Sequence, residues 1–204
     1  MPKIYPHLSP IEKARRELLQ KLGDMDETYP LLNGLVYRSF YGFVLAHGRF
    51  YERSPWNGEY PRGAQQKCFG NAIYLGGLYG LRYVEGFAVA PTNGSVILHG
   101  WNITDDDSVI DSTWCNTGVL YLGVEFSIER ADDASWNGDA SVLNDDKRNY
   151  PIFQRIWKGE DYSLTWPPSD RLEHLRRRDR TLPPSVESHL REIGDIPSPA
   201  RAEP

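Results

Sequence analysis

Cys68, His99 and Asp111 are the residues of this chain whose types and spacing point toward one reaction. Cys68 follows a glycine-containing loop and opens a stretch, 68–79, in which Ala72, Ile73, Leu75, Leu78 and Tyr79 recur at helical spacing. The start of a helix is where a thiol is most easily ionised, because the helix dipole and the free amides of the first turn stabilise a thiolate. The same amides can receive an oxyanion. Such a thiol still needs a base. His99 stands in ILHGWNI, where alternation puts Ile97, His99, Trp101 and Ile103 on one strand face, and the next stretch, VIDST, puts Val109 and Asp111 together. With a three-residue turn centred on Asp105, Ile103 pairs with Asp107, Trp101 with Val109, and His99 with Asp111. Opposed residues of a hairpin have β-carbons about 4.5–5.5 Å apart, although a bulge in the turn would shift this register. The expected product is a Cys–His–Asp triad, in which Asp111 accepts a hydrogen bond from one ring nitrogen and the other nitrogen faces the thiol.

Each residue also has a plainer use. A lone Cys is among the most buried residue types, a strand His is often a hydrogen-bonded core residue, and an Asp ahead of Ser112 and Thr113 often caps a turn. The three together favour catalysis. Zinc is the rival chemistry, since Cys68, His99, Asp111 and Cys115 are all possible ligands, but no CxxC or HxxxH pair anchors a site. Cys115 is also a possible disulfide partner of Cys68, against which a reducing compartment argues. Gln65 and Gln66, just upstream of the thiol, are candidates for a side-chain oxyanion donor beside the Cys68 amide. Trp101 and Trp114 are candidate walls of a cleft, and Asn71, one helical turn after Cys68, could bond within the site, though a buried helix-to-strand hydrogen bond is the expected use.

The elements that must position these residues carry their own punctuation. Ser9, Pro10 and Glu12 form a capping box at the start of a helix that Gly23 stops. A second helix is expected over 30–47, where Leu31, Leu32, Leu35, Val36, Phe40, Phe43 and Val44 recur at helical spacing. Residues 49–63 follow neither period and read as a long irregular loop whose aromatics Phe50, Tyr51, Trp56 and Tyr60 would cover a substrate. Strands are expected over 81–90, 96–104, 108–112 and 119–127. Residues 132–147 read as a polar loop, 150–157 as a short helix, and 169–178 as another. The order, helices and then an antiparallel meander, is the α+β class, with the helix that carries the nucleophile packed on an antiparallel sheet. One domain over 1–180 is expected, with a proline-rich, charged tail over 181–204.

The stretches KCFGNA, YVEGFAV, LHGWN, VIDSTW and YLGVEF resemble the core of the transglutaminase-like branch of the papain-type cysteine hydrolase superfamily, over residues 65–127. The resemblance implies Cys68 as nucleophile, His99 as base and later acid, and Asp111 as the residue that orients the imidazole. It departs from the family pattern at Gly100, where alanine is more usual, and in having no firmly placed oxyanion donor.

Composition narrows the setting. At 204 residues, a chain with 40% hydrophobic and 25% charged residues can bury a core without disulfide staples. No apolar run is long enough to span a membrane, and the start MPKIYPHLSP lacks the layout of a secretory signal, so a cytoplasmic setting is expected. A net charge of −5 is poorly suited to a phosphate backbone, and the cluster Arg176, Arg177, Arg178 and Arg180 reads as a mixed-charge helix face. Neither nucleic acid nor membrane is an expected partner. No phosphate loop or dinucleotide fingerprint is present and no cofactor is implied. The expected function is thiol-dependent acyl transfer at an amide bond of a protein or peptide, whether by a peptidase, a deamidase or a transamidase. A catalytically silent binding module of the same fold is the alternative.

Overall fold

A computed structural model describes residues 8–136, 141–146, 148–156 and 158–159. Helix α1 (Pro10–Glu27) starts as the capping box requires, with the Glu12 carboxylate accepting from the Ser9 amide at 2.8 Å. It runs straight through Gly23, past the expected stop. A tertiary contact accounts for the extra turn: Asp26 accepts from the Ser39 hydroxyl at 2.6 Å and from the Gly42 amide at 3.1 Å, so the end of α1 caps the next helix. That helix, α2 (Phe40–His47), is only the second half of the one expected over 30–47. Ser39 starts it by accepting from the Tyr41 amide at 3.0 Å. Upstream, Leu31, Leu32 and Val36 are 55%, 50% and 46% exposed, so their helical spacing marks no buried face.

Five strands close into a barrel: β1 (Arg49–Arg53), β2 (Arg82–Val89), β3 (Val96–Ile103), β4 (Ser108–Ile110) and β5 (Tyr121–Phe126), in the order β1-β4-β3-β2-β5. β1 lies within the stretch read as irregular loop, and it is what joins the two edges of the sheet. It pairs parallel with β4 (Arg53 beside Val109) and antiparallel with β5 (Phe50 beside Leu122), so the sheet is not antiparallel throughout. Closure leaves no open edge. Inside sit Tyr51, Val84, Ala88, Trp101, Ile103, Val109 and Tyr121, drawn from all five strands. Gly123 makes room for the indole, since a β-carbon there would lie 2.6 Å from the Trp101 ring.

The helices cover the outer face. Leu18, Leu22, Phe43 and Val44 pack against Phe87, Leu122, Val124 and Phe126 in one core, which Ala72 and Ile73 of helix α3 (Cys68–Tyr79) also enter. α3 crosses β3, with Asn102 Nδ2 donating to the Ala72 carbonyl at 2.9 Å. Part of the stretch expected as polar loop is helix α4 (Ile128–Trp136), whose Ile128, Ala131 and Ala134 lie one helical turn apart and are buried in the same core. The Ser127 hydroxyl, accepting from the Arg130 amide at 3.3 Å, starts it. A single 3-10 turn, Pro151–Phe153, stands where a short helix was expected. The helix expected over 169–178 and the tail over 181–204 lie outside the described residues. Among the described residues the architecture is α+β, four helices on one barrel sheet. Among the described residues no helix is long and apolar enough to cross a membrane.

Candidate active site

Cys68 is the first residue of α3 and is half-buried. Two residues upstream the backbone turns through Gln66 in the left-handed region, φ 61°. A non-glycine residue held there costs of order 1–3 kcal/mol, and such strain gathers at functional sites. Lys67, at the N-cap position, places no side-chain hydrogen bond on the first-turn amides of α3. Gly100 sets how near the helix comes: a β-carbon there would lie 2.8 Å from the Phe69 ring and 3.2 Å from Phe69 Cα. The absence of a side chain at Gly100 is thus the feature that lets the first turn of α3 rest on the backbone of β3.

The β3–β4 hairpin has a different register from the expected one. Ile103 pairs with Val109 and Asn102 with Ile110, because the three-residue turn is Asp105 to Asp107, with Asp107 left-handed at φ 66°. Arg49 holds this turn through two hydrogen bonds of 2.7 Å to Asp107, and Arg82 donates to the Thr104 carbonyl at 2.7 Å. The shift is two residues, and the side-chain period of a strand is two, so every residue keeps its face. Asp111 therefore still reaches His99, as a diagonal neighbour instead of an opposed one.

His99 Nε2 donates to Asp111 Oδ2 at 2.9 Å, with the two side chains 2% and 1% exposed. The carboxylate also accepts from the Thr113 and Trp114 amides at 3.0 and 3.1 Å through Oδ1, and from the Tyr121 hydroxyl at 2.9 Å through Oδ2. Burial, and then the Asp111 charge, push the Tyr121 hydroxyl far above its ordinary range, so it remains a donor. Asn116 steadies the same corner by accepting from the Asp111 amide at 2.6 Å. After Asp111, Cys68 is the group that acts most on the imidazole to favour its protonated form. With Nε2 committed to Asp111, the nitrogen that faces sulfur is Nδ1. Burial by itself would lower the His99 pKa, but the Asp111 hydrogen bond and then the Cys68 contact outweigh it and raise the pKa to about 9.

Other candidates fare differently. Gln65 and Gln66 are exposed on the loop ahead of α3. Trp101, 1% exposed, is no cleft wall; it lies inside the barrel, edge-on to Tyr51 and Tyr121. Trp114 is stacked on the His99 ring at 4.1 Å between centroids and 16° between planes, with Trp101 also stacked against that ring at 6.3 Å. The aromatics expected to cover a substrate fold onto the protein: Tyr51 fills the barrel, Phe50 packs on the main core, and Trp56 and Tyr60 pack against the cluster of Leu75, Leu78, Leu81 and Ile110. Cys68 and Cys115 are both free thiols. Among the described residues no group of three or more His, Cys, Asp or Glu side chains is arranged to hold a metal ion. Asn71 bonds the loops on either side of the site: Nδ2 donates to the Ala64 carbonyl at 2.7 Å and to the Thr113 hydroxyl at 2.8 Å. Sequence reasoning missed Tyr121 and Asn116. Asn116 sits five residues from Asp111 in a left-handed turn, φ 56°, a conformation that asparagine tolerates and that could have marked it. Nothing in the chain near Tyr121 announces a partner, because only closure of the barrel brings β5 to that corner. Compared with protein-family models, curated proteins and solved structures, the chain matches none.

Proposed function

We propose that this protein is a cysteine-dependent acyl-transfer enzyme of the papain-type, transglutaminase-like kind, acting on an amide bond of a protein or peptide through Cys68, His99 and Asp111. One observation carries the reading: a buried carboxylate lies 2.9 Å from one nitrogen of an imidazole whose other strong neighbour is a thiol at a helix start. With a pKa of about 9, His99 is an imidazolium at neutral pH, and the proposed nucleophile is the sulfur anion paired with that cation. The sulfur attacks the carbonyl carbon, and the developing oxyanion is met by the first-turn amides of α3. His99 then gives its Nδ1 proton to the leaving amine as the carbon–nitrogen bond breaks and a thioester forms on Cys68. Water, deprotonated by His99, attacks the thioester, and the departing sulfur restores the ion pair. An amine acceptor in place of water would make the same site a transamidase; hydrolysis is favoured because water is always at hand.

Iodoacetamide at pH 6 tests this against a silent binding module. Cys68 should alkylate at least about tenfold faster than Cys115, as expected of an activated thiol beside an ordinary one. A panel of glutamine-containing peptides should leave an acyl adduct on Cys68 that Cys68→Ala abolishes without loss of fold. Equal, slow labelling of both cysteines would support the silent module.

A further inference from the structure

Asn71 makes three hydrogen bonds that join separate stretches of the chain. Its Nδ2 donates to the Ala64 carbonyl at 2.7 Å and to the Thr113 hydroxyl at 2.8 Å, and its Oδ1 accepts from the Ala64 amide at 3.2 Å. The side chain is 1% exposed. Ala64 belongs to the loop that delivers Cys68, and Thr113 to the loop that follows Asp111, where the Thr113 amide itself donates to the Asp111 carboxylate. Gly63 bonds the same two loops directly, its amide donating to the Ser112 carbonyl at 3.0 Å. It comes so close to Asn71 that a β-carbon on Gly63 would lie 2.3 Å from Asn71 Nδ2. Backbone and side chain are therefore built around this one amide. From Asn71 the path to sulfur is a single helical turn, and the path to the carboxylate is one residue.

We infer that Asn71 is the positioning residue of the site. It fixes the loop ahead of Cys68 to the loop behind Asp111, so that the sulfur faces Nδ1 while the carboxylate holds Nε2. Neither triad partner needs to touch it. A primary amide suits the task because it offers two donors and an acceptor, and here it meets a carbonyl, a hydroxyl and an amide. An aspartate of the same shape loses both donors and brings a charge next to the Ala64 carbonyl. Misplacement of a reacting group by about 1 Å costs of order 10²-fold in rate, so the effect belongs on turnover and on thiol activation more than on substrate affinity.

This inference rests on the thiol-enzyme reading, and its test separates the two. Full-length wild type, Asn71→Asp, Thr113→Val and Thr113→Ser are compared by the iodoacetamide rate at Cys68 from pH 5 to 9, with Cys115 as internal reference and thermal unfolding as a check on fold. For peptide substrates, kcat is separated from KM. The expected result is a loss of about 10- to 100-fold in kcat and in the pH 6 alkylation rate for Asn71→Asp. Thr113→Val should show a smaller loss in the same sense, and Thr113→Ser, which keeps the hydroxyl, should restore the wild-type profile. In the impaired variants Cys68 labelling should climb with pH as Cys115 labelling does. Should Asn71→Asp not fold, the Thr113 pair decides alone. A reactive wild type with alkylation and kcat unchanged in Asn71→Asp or in Thr113→Val, whatever the loss of thermal stability, would leave Asn71 a purely structural bond and overturn the inference. A wild type whose Cys68 labels no faster than Cys115 would remove the enzyme reading and this inference with it.

Discussion

His99 and Asp111 meet across 2.9 Å without being ladder partners: β4 ends at Ile110, and the register that pairs Ile103 with Val109 sets Asp111 diagonally from His99. Because Asp111 lies past the strand, its carboxylate is free to collect the Thr113 and Trp114 amides on one oxygen and the ring and the Tyr121 hydroxyl on the other. Removing only the charge should therefore be costly to chemistry and cheap in volume. Asp111→Asn is expected to lower kcat by about 10³- to 10⁴-fold, the scale seen when the carboxylate orienting a catalytic histidine is neutralised. Single-turnover acylation of Cys68 measures it, and a change below tenfold would mean that Asp111 does not orient the base.

The same pair makes stability depend on pH with a definite sign. Burial lowers the His99 pKa, but Asp111 and then Cys68 raise it to about 9, against about 6.5 for an unperturbed histidine. A group whose folded pKa is raised adds stability that is fully present below the unfolded value and is lost as pH climbs through the folded one. The advantage of wild type over Asp111→Asn in urea unfolding should be greatest below about pH 6.5 and shrink between pH 6.5 and 9. Turnover should also fall above about pH 9, where the imidazolium disappears. An advantage constant across that window would contradict the assignment.

Gly100 offers a steric test. An added β-carbon would meet the Phe69 ring at 2.8 Å and its Cα at 3.2 Å, so Gly100→Ala must move the first turn of α3 away from β3. Overpacking of this kind costs about 1–3 kcal/mol of stability. Since Cys68 precedes Phe69, its alkylation rate at pH 6 should fall by about tenfold or more as sulfur leaves the ring. An alanine that leaves both stability and labelling unchanged would show that the close approach is not needed.

Tyr121 is a support outside the triad. Its hydroxyl donates to Asp111 and accepts from the Gly118 amide at 3.1 Å. Tyr121→Phe strands a buried amide and removes one donor from the carboxylate, which should cost about 1–3 kcal/mol in urea unfolding. Labelling of Cys68 should slow only a few-fold, because His99 and the two backbone amides still hold Asp111. A loss of reactivity as large as that of Asp111→Asn would promote Tyr121 to an essential partner.

How much of this was legible along the chain depends on the range of the interaction that decides it. Ser9, Pro10 and Glu12 announced the start of α1 because a capping box closes within four residues. Alternation in ILHGWNI and VIDST assigned His99 and Asp111 to a common face, and since strand parity survives a slip of two, the face held although the register did not. The helix behind Cys68 was plain from its apolar spacing.

What failed was set by partners remote in sequence. RFYER carries no alternation strong enough to mark β1; its pairing with β4 and β5, more than fifty residues on, makes it a strand. The end of α1 and the late start of α2 follow from Asp26 meeting Ser39 and Gly42. Trp101 and Tyr51 looked like cleft and cover, but closure of the barrel put both inside it. The sequence by itself thus determined which residues are of a type to do chemistry and which face of a strand they share, because both follow from side-chain type and a local period of two. Only the tertiary structure decided that Tyr121, Asn116 and Asn71 surround the site and that α3 lies close enough to β3 for sulfur and imidazole to meet, since these depend on barrel closure and on the space left above Gly100.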